Sequence, residues 1–130
     1  MAIVNTVLFN GQRELVVRCV KTDGGAEADT VVVDKSTFVG PNGLEPSELI
    51  VEKIEWSAAS IATVSGVLLE WNLTADEAIA VLAEGYGQFD FRSFGGVSPQ
   101  SGGDTGDIVV TNAAAATSGY TIILWLRKKD

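Results

Sequence analysis

At 130 residues the chain is long enough for one domain, residues 1–130, with a hydrophobic core, and too short for two comfortable ones. Nine basic against seventeen acidic residues leave a formal charge of -8, which argues against a cationic surface for nucleic-acid phosphates. With no histidine and one cysteine, the commonest general base, a Cys-rich zinc site and an intrachain disulfide are all excluded, so we expect neither an enzyme nor a cofactor.

The first ten residues are apolar but lack a basic leading segment, and no window reaches the roughly 20 apolar residues of a membrane span. No leader and no membrane contact are therefore expected. Ile3 to Phe9 reads as a strand that ends at Asn10-Gly11, where both residues tolerate the positive φ of a type I′ hairpin turn. The returning strand, Glu14 to Lys21, alternates Val16, Arg18 and Val20 against Val17 and Cys19, which suits an antiparallel sheet with one face toward water. Cys19 reads as a small buried side chain. β-Branched Val31, Val32 and Val33 predict a strand over Thr30 to Asp34, and Gly40 to Pro46 a turn-rich connection.

Leu49 to Ser57 alternates with mixed faces, so it is expected to be half-buried. Thr63 to Asn72 aims Val67, Leu69 and Trp71 at the core, with Gly66 marking a bulge or a close backbone approach. Residues 75–83 stay open between a short helix behind the capping box Thr74-Ala75-Asp76-Glu77 and a strand. The sequon Asn72-Leu73-Thr74 is short enough to occur by chance. Gln88 to Arg92 reads as a strand with Phe89 and Phe91 inward. The small-residue connection from Phe94 to Asp107 lacks the spacing of a phosphate loop, and Asp104 and Asp107 would repel phosphate. A calcium ion on those two aspartates would have too few carboxylates, so an ordered surface or interface loop is the stronger reading. Asp107 to Thr111 and Tyr120 to Lys129 read as a closing hairpin whose second strand, apolar on both faces, belongs at a sheet centre or a covered edge. Arg127-Lys128-Lys129 reads as a solubilising end, with contact to an acidic neighbouring subunit as the weaker reading.

The segments Trp71-Asn72-Leu73-Thr74-Ala75, Gly85 to Phe91, Gly95-Gly96-Val97-Ser98-Pro99, Gly103 to Val109 and Gly119 to Lys128 together resemble small structural proteins of tailed bacteriophage particles, over about half the chain. That resemblance implies a non-enzymatic β-sandwich subunit in the virion, made in the bacterial host cytoplasm. It would be a cement or decoration protein on the head, with a tail-associated protein as the alternative. The implied partners are other virion proteins, above all the major capsid protein, and further copies of the same chain; direct nucleic-acid binding is not implied.

The residues alone predict an all-β, antiparallel β-sandwich of about eight strands, jelly-roll-like or another Greek-key arrangement. Interface candidates are Ile3, Val4 and Phe9 on the first strand, which together with Val7 and Leu8 either pack beneath the sandwich or dock on a partner. Phe94, Val97, Asp104 and Asp107 of the long loop and Arg127 complete the set. Two rivals remain. One is a carbohydrate-binding module using some of Trp56, Trp71, Trp125, Tyr86 and Tyr120. The other is an enzyme using Asp90, Asp104 or Asp107 as acid and base.

Overall fold

The computed structural model describes residues 3–22, 25–58, 66–72, 76–83, 85–99, 106–112 and 119–129. Nine strands run through them: β1 (Val4–Asn10), β2 (Glu14–Lys21), β3 (Glu27–Val33), β4 (Glu48–Ala58), β5 (Val67–Trp71), β6 (Glu77–Leu82), β7 (Gly85–Asp90), β8 (Ile108–Asn112) and β9 (Tyr120–Lys129). Residues 77–82 are thus a strand. With Ala75 and Thr74 outside the described residues, what is visible is Leu82 fully buried and Val67 paired to it across the β5–β6 ladder. Tertiary pairing outweighs the local helical periodicity there.

The strands form two antiparallel sheets, β1-β2-β9-β4-β7 and β3-β8-β5-β6. From β2 onward the chain changes sheet at every connection except β5 to β6. Two interleaved four-stranded layers, β2-β9-β4-β7 over β3-β8-β5-β6, are the strand order of a jelly roll, and β1 is added outside β2. The closing pair is therefore not a hairpin: β8 lies between β3 and β5, while β9 lies between β2 and β4 in the other sheet. Both are apolar enough to be central, and central positions in opposite sheets bury both inward faces.

The core is what alternation delivers. Leu15, Val17 and Cys19 of β2, Ile122, Leu124 and Leu126 of β9, Val67, Leu69 and Trp71 of β5, and Ile108 and Val110 of β8 pack between the sheets. In β4 the pairing with β9 slips between Val51 and Lys53, a bulge at Glu52. Val51 and Ile54 are consequently both buried, and the pattern read from Leu49 to Ser57 changes phase halfway. Burial pushes the Cys19 thiol up to about 12, so it is an inert core group. Gly66 has φ 62°, and a Cβ there would stand 2.7 Å from the Leu82 carbonyl oxygen, so the close backbone approach is real.

The β1–β2 hairpin also differs in detail from expectation. Neither Asn10 nor Gly11 has positive φ; a three-residue loop, Gly11 to Arg13, is closed by Gly11 N–H donating to the Glu14 carbonyl at 2.8 Å. Among the described residues, no helix is long and apolar enough to cross a membrane.

One buried cation ties β2 to β3. Lys21, nearly inaccessible, donates to Glu27 Oε2 at 2.6 Å, and the Thr30 hydroxyl donates to Glu27 Oε1 at 2.6 Å. The Lys21 bond holds the Glu27 carboxyl below the usual carboxylate range. A lowered folded value means that this contribution is complete above the unfolded pKa, near 4.3, and is lost as pH falls through the folded one. Glu27→Gln is expected to cost about 1–2 kcal/mol in urea unfolding at pH 7. That deficit should shrink toward zero in acid, where the wild-type carboxyl is protonated as well.

Candidate functional site

β1 forms one edge of the larger sheet, and among the described residues the side of its backbone away from β2 meets no other strand. Its sequence, VNTVLFN, has no charge and no proline. Val4, Val7, Leu8 and Phe9 are 60%, 46%, 48% and 55% exposed. The pairing with β2 slips between Val7 and Phe9, leaving Leu8 as the extra residue of a bulge. Ile3 is different: it belongs to the buried core and is not available for contact. The other edges carry charge, with Glu27 and Asp29 on β3, Glu77 on β6 and Asp90 on β7. Charge on an edge is a common guard against pairing with another chain, and β1 is without it.

The loop after β7 is divided. Phe94 is 67% exposed at the end of an aromatic run in which Trp56, Phe89, Phe91 and Phe94 follow one another at centroid distances of 5.1, 5.8 and 5.9 Å. Val97 is half-buried and exchanges backbone hydrogen bonds with Val51 in both directions, at 2.8 and 2.9 Å. Gly96, at φ 90°, lies so close to β4 that a Cβ would stand 2.5 Å from Ile50 Cγ2. Arg127 donates to the Gly95 carbonyl at 2.8 Å and stands 3.5 Å from Glu52, so it fastens this loop to the sheet. Asp107 is likewise engaged: its Oδ1 accepts from Lys35 N–H at 2.9 Å, and its carbonyl accepts from Asn72 N–H at 2.8 Å. Asp104 lies outside the described residues.

Two polar clusters were not legible beforehand. Asp29, Glu70 and Asp76 bring one carboxylate oxygen each within 4.8 Å of one another, with the Thr111 hydroxyl donating to Asp29 at 3.2 Å. Desolvation and the neighbouring Asp76 and Asp29 raise the Glu70 pKa, a like-charge cost carried by the fold. Their separation in sequence, across β3, β5 and the approach to β6, is why no motif announces them. At one end of the sandwich an open depression of about 580 Å³ is bordered by the β1–β2 loop and the 37–43 segment, with Lys128 at its base. Lys128 is buried rather than solubilising, and its ammonium donates to Asn10 Oδ1, the Gly11 carbonyl and the Val39 carbonyl. All three N–H bonds are committed, which leaves none for a bound anion.

The five Trp and Tyr side chains differ in exposure. Trp71 and Tyr120 are buried, Trp56 and Trp125 half-buried, and Tyr86 alone among these five is exposed. The Lys53 ammonium sits 4.9 Å over the Trp125 ring. Asp90, one of the acid–base candidates, is bound by Arg92 through two side-chain hydrogen bonds of 2.9 and 2.6 Å, and that pairing pushes its pKa down. No family model, curated protein or solved structure matches the chain.

Proposed function

We propose that this protein is a non-enzymatic structural subunit of a tailed-phage particle, a decoration protein that strengthens the head by binding the major capsid protein. The observation that carries this reading is β1: an uncharged edge strand whose four apolar side chains stand in solvent, on a fold whose other edges are charged. A strand of a partner laid against β1 would satisfy its free N–H and C=O groups and cover Val7 and Leu8. Phe94, just after the β7 strand at the other edge of the same sheet, offers a second apolar contact.

Binding of this kind stabilises by linkage. A subunit that binds only the assembled particle favours it by about 2.7 kcal/mol per site when its free concentration is a hundred times its Kd. Many weak copies therefore add up to a resistant shell. The exposed aromatics favour this reading over sugar binding, because Tyr86 has no exposed Trp or Tyr neighbour with which to form a flat stacking platform.

Purified protein is expected to co-sediment with particles stripped of it and to raise the temperature at which they disassemble. Val7→Lys with Leu8→Lys is expected to weaken that association at least about tenfold, while the free protein's unfolding midpoint changes little, since surface substitutions stay within about 0.5 kcal/mol. Absence of affinity for heads and tails, together with saturable sugar binding, would overturn the proposal.

A further inference from the structure

The outer face of the five-stranded sheet has an arrangement that β1 alone does not explain. β9 is its middle strand, with β2 and β1 on one side and β4 and β7 on the other. The pairings align Thr6, Arg18, Ile123, Glu55 and Gln88 in one row across β1, β2, β9, β4 and β7. An adjacent row on the same face is Val4, Val20, Thr121, Ser57 and Tyr86. The first row reads polar, cationic, apolar, anionic, polar, and its centre is Ile123.

We infer that this face docks a second copy of the same chain, in a two-fold dimer whose axis runs along β9. Such an axis exchanges β2 with β4 and β1 with β7, as an isologous interface requires. It sets Ile123 on Ile123 of the second copy and Arg18 on Glu55 of the second copy, twice. Arg18 is exposed and has no ion pair among the described residues, so it is free to take that partner. In the adjacent row Val20 comes over Ser57 of the second copy and Val4 over Tyr86. There the face has a shallow hollow of about 100 Å³, lined by Glu55, Ser57, Tyr86, Thr121 and Ile123 together with Trp56. The valines of one copy are the projections that hollow fits.

Charge and size agree with this occupant. Two chains of charge -8 repel over most of their surfaces. On this face, however, Arg18, Lys53, Arg92 and Arg127 stand among Glu14, Glu52, Glu55 and Asp90, with Lys53 already 3.0 Å from Glu55 and Arg92 2.6 Å from Asp90, so the charges are mixed and near balance where the copies meet. Five strands about 4.8 Å apart and about eight residues long present a flat footprint of about 600 Å² per copy. Side-chain relief adds to that, bringing it near the roughly 800 Å² per partner of a stable interface. Face-to-face sheets also pack with strands within about 30° of each other, which a two-fold axis along β9 satisfies.

The inference does not depend on the phage reading, and sedimentation equilibrium of the pure chain tests it. A reversible dimer of twice 13.7 kDa is expected. Arg18→Glu is expected to weaken it at least about tenfold, because juxtaposed like charges cost several kcal/mol. Arg18→Glu combined with Glu55→Arg should recover part of that loss, since the crossed pair is re-formed while the 3.0 Å bond from Lys53 to Glu55 is given up. Ile123→Lys, on a half-buried outward position, should abolish the dimer while the folded circular-dichroism spectrum persists; it serves if Glu55→Arg beside Lys53 fails to fold. A monomer at every concentration overturns the inference, and so does a dimer indifferent to Arg18→Glu and Ile123→Lys. A dimer lost instead on Val7→Lys with Leu8→Lys would assign self-association to the β1 edge and overturn it too. A dimer that ignores particles would leave this inference standing and remove the proposed function.

Discussion

Trp71→Ala is expected to destabilise the protein by about 3–5 kcal/mol, while Trp71→Phe should stay within about 1 kcal/mol of the wild type. Trp71 ends β5 with no accessible surface and is the largest fully buried side chain. Truncation to alanine removes its ring from between Ile108, its partner on β8, and the opposing sheet, and the surrounding strands are hydrogen-bonded on both sides of β5. Such a site relaxes little, which places the loss in the upper range for core truncation. The phenylalanine variant separates volume from polarity. Trp71 Nε1 is buried with no hydrogen-bond partner among the described residues, so the wild type already bears the desolvation cost of an unmade bond. Phenylalanine removes that cost while losing some volume, and the two effects offset. Urea unfolding of the three proteins measures both. A Phe variant as unstable as the Ala variant would show that the indole N–H makes a bond that matters.

How much of this was legible depends on which force sets each feature. The two registers of β9 and its central place are legible, because Tyr120, Ile122, Leu124 and Leu126 alternate without interruption, but which register is buried and that Lys128 continues it are not. β5 was legible for the same reason. Leu49 to Ser57 was not, because one extra residue at Glu52 inverts the pattern, and a bulge has no sequence signature beyond its consequence. For β8, adjacency along the chain favours a hairpin with β9, whereas the buried faces of two central strands favour opposite sheets, and the second wins. Periodicity reports which side of a strand is wet; it does not report which strand lies beside it.

The candidate surface divides in the same way. Val4, Phe9 and Phe94 stand in solvent, as a docking residue must, but Ile3 belongs to the core, and Val97, Asp107 and Arg127 are held by backbone and ionic contacts within the chain. The lack of charge over the first ten residues points to a buried or docking strand; that the strand is an edge follows only from the sheet order. The balanced row of Arg18, Ile123 and Glu55 could not be seen, because it exists only once three strands distant in sequence are placed in register.

The same holds for Lys128, whose replacement should have the second largest effect. In sequence it is the middle of a basic tripeptide; in the fold it alternates inward with Leu126 and is as buried as the core leucines near it. Its ammonium joins three separate pieces of chain: β9, the β1–β2 hairpin through Asn10 and Gly11, and the 37–43 segment through Val39. Desolvation lowers its pKa, and its partners are neutral oxygens, so the charge is held by dipoles alone. Lys128→Met keeps most of the stem's volume and removes the ammonium, leaving three acceptors without their donor. At about 1 kcal/mol for each, a loss of about 2–4 kcal/mol is expected, reduced where water reaches Asn10 and Val39. Amide exchange distinguishes this from general weakening: protection should fall first at Gly11 and Gly40, both hydrogen-bonded within the loops Lys128 secures, before it falls in β5 or β8. Uniform loss across all strands would mean that the lysine supports the core by packing and not by fastening its end. Because β1 is joined to that hairpin, the proposed particle binding is expected to weaken in the variant as well, without any change at Val7 or Leu8.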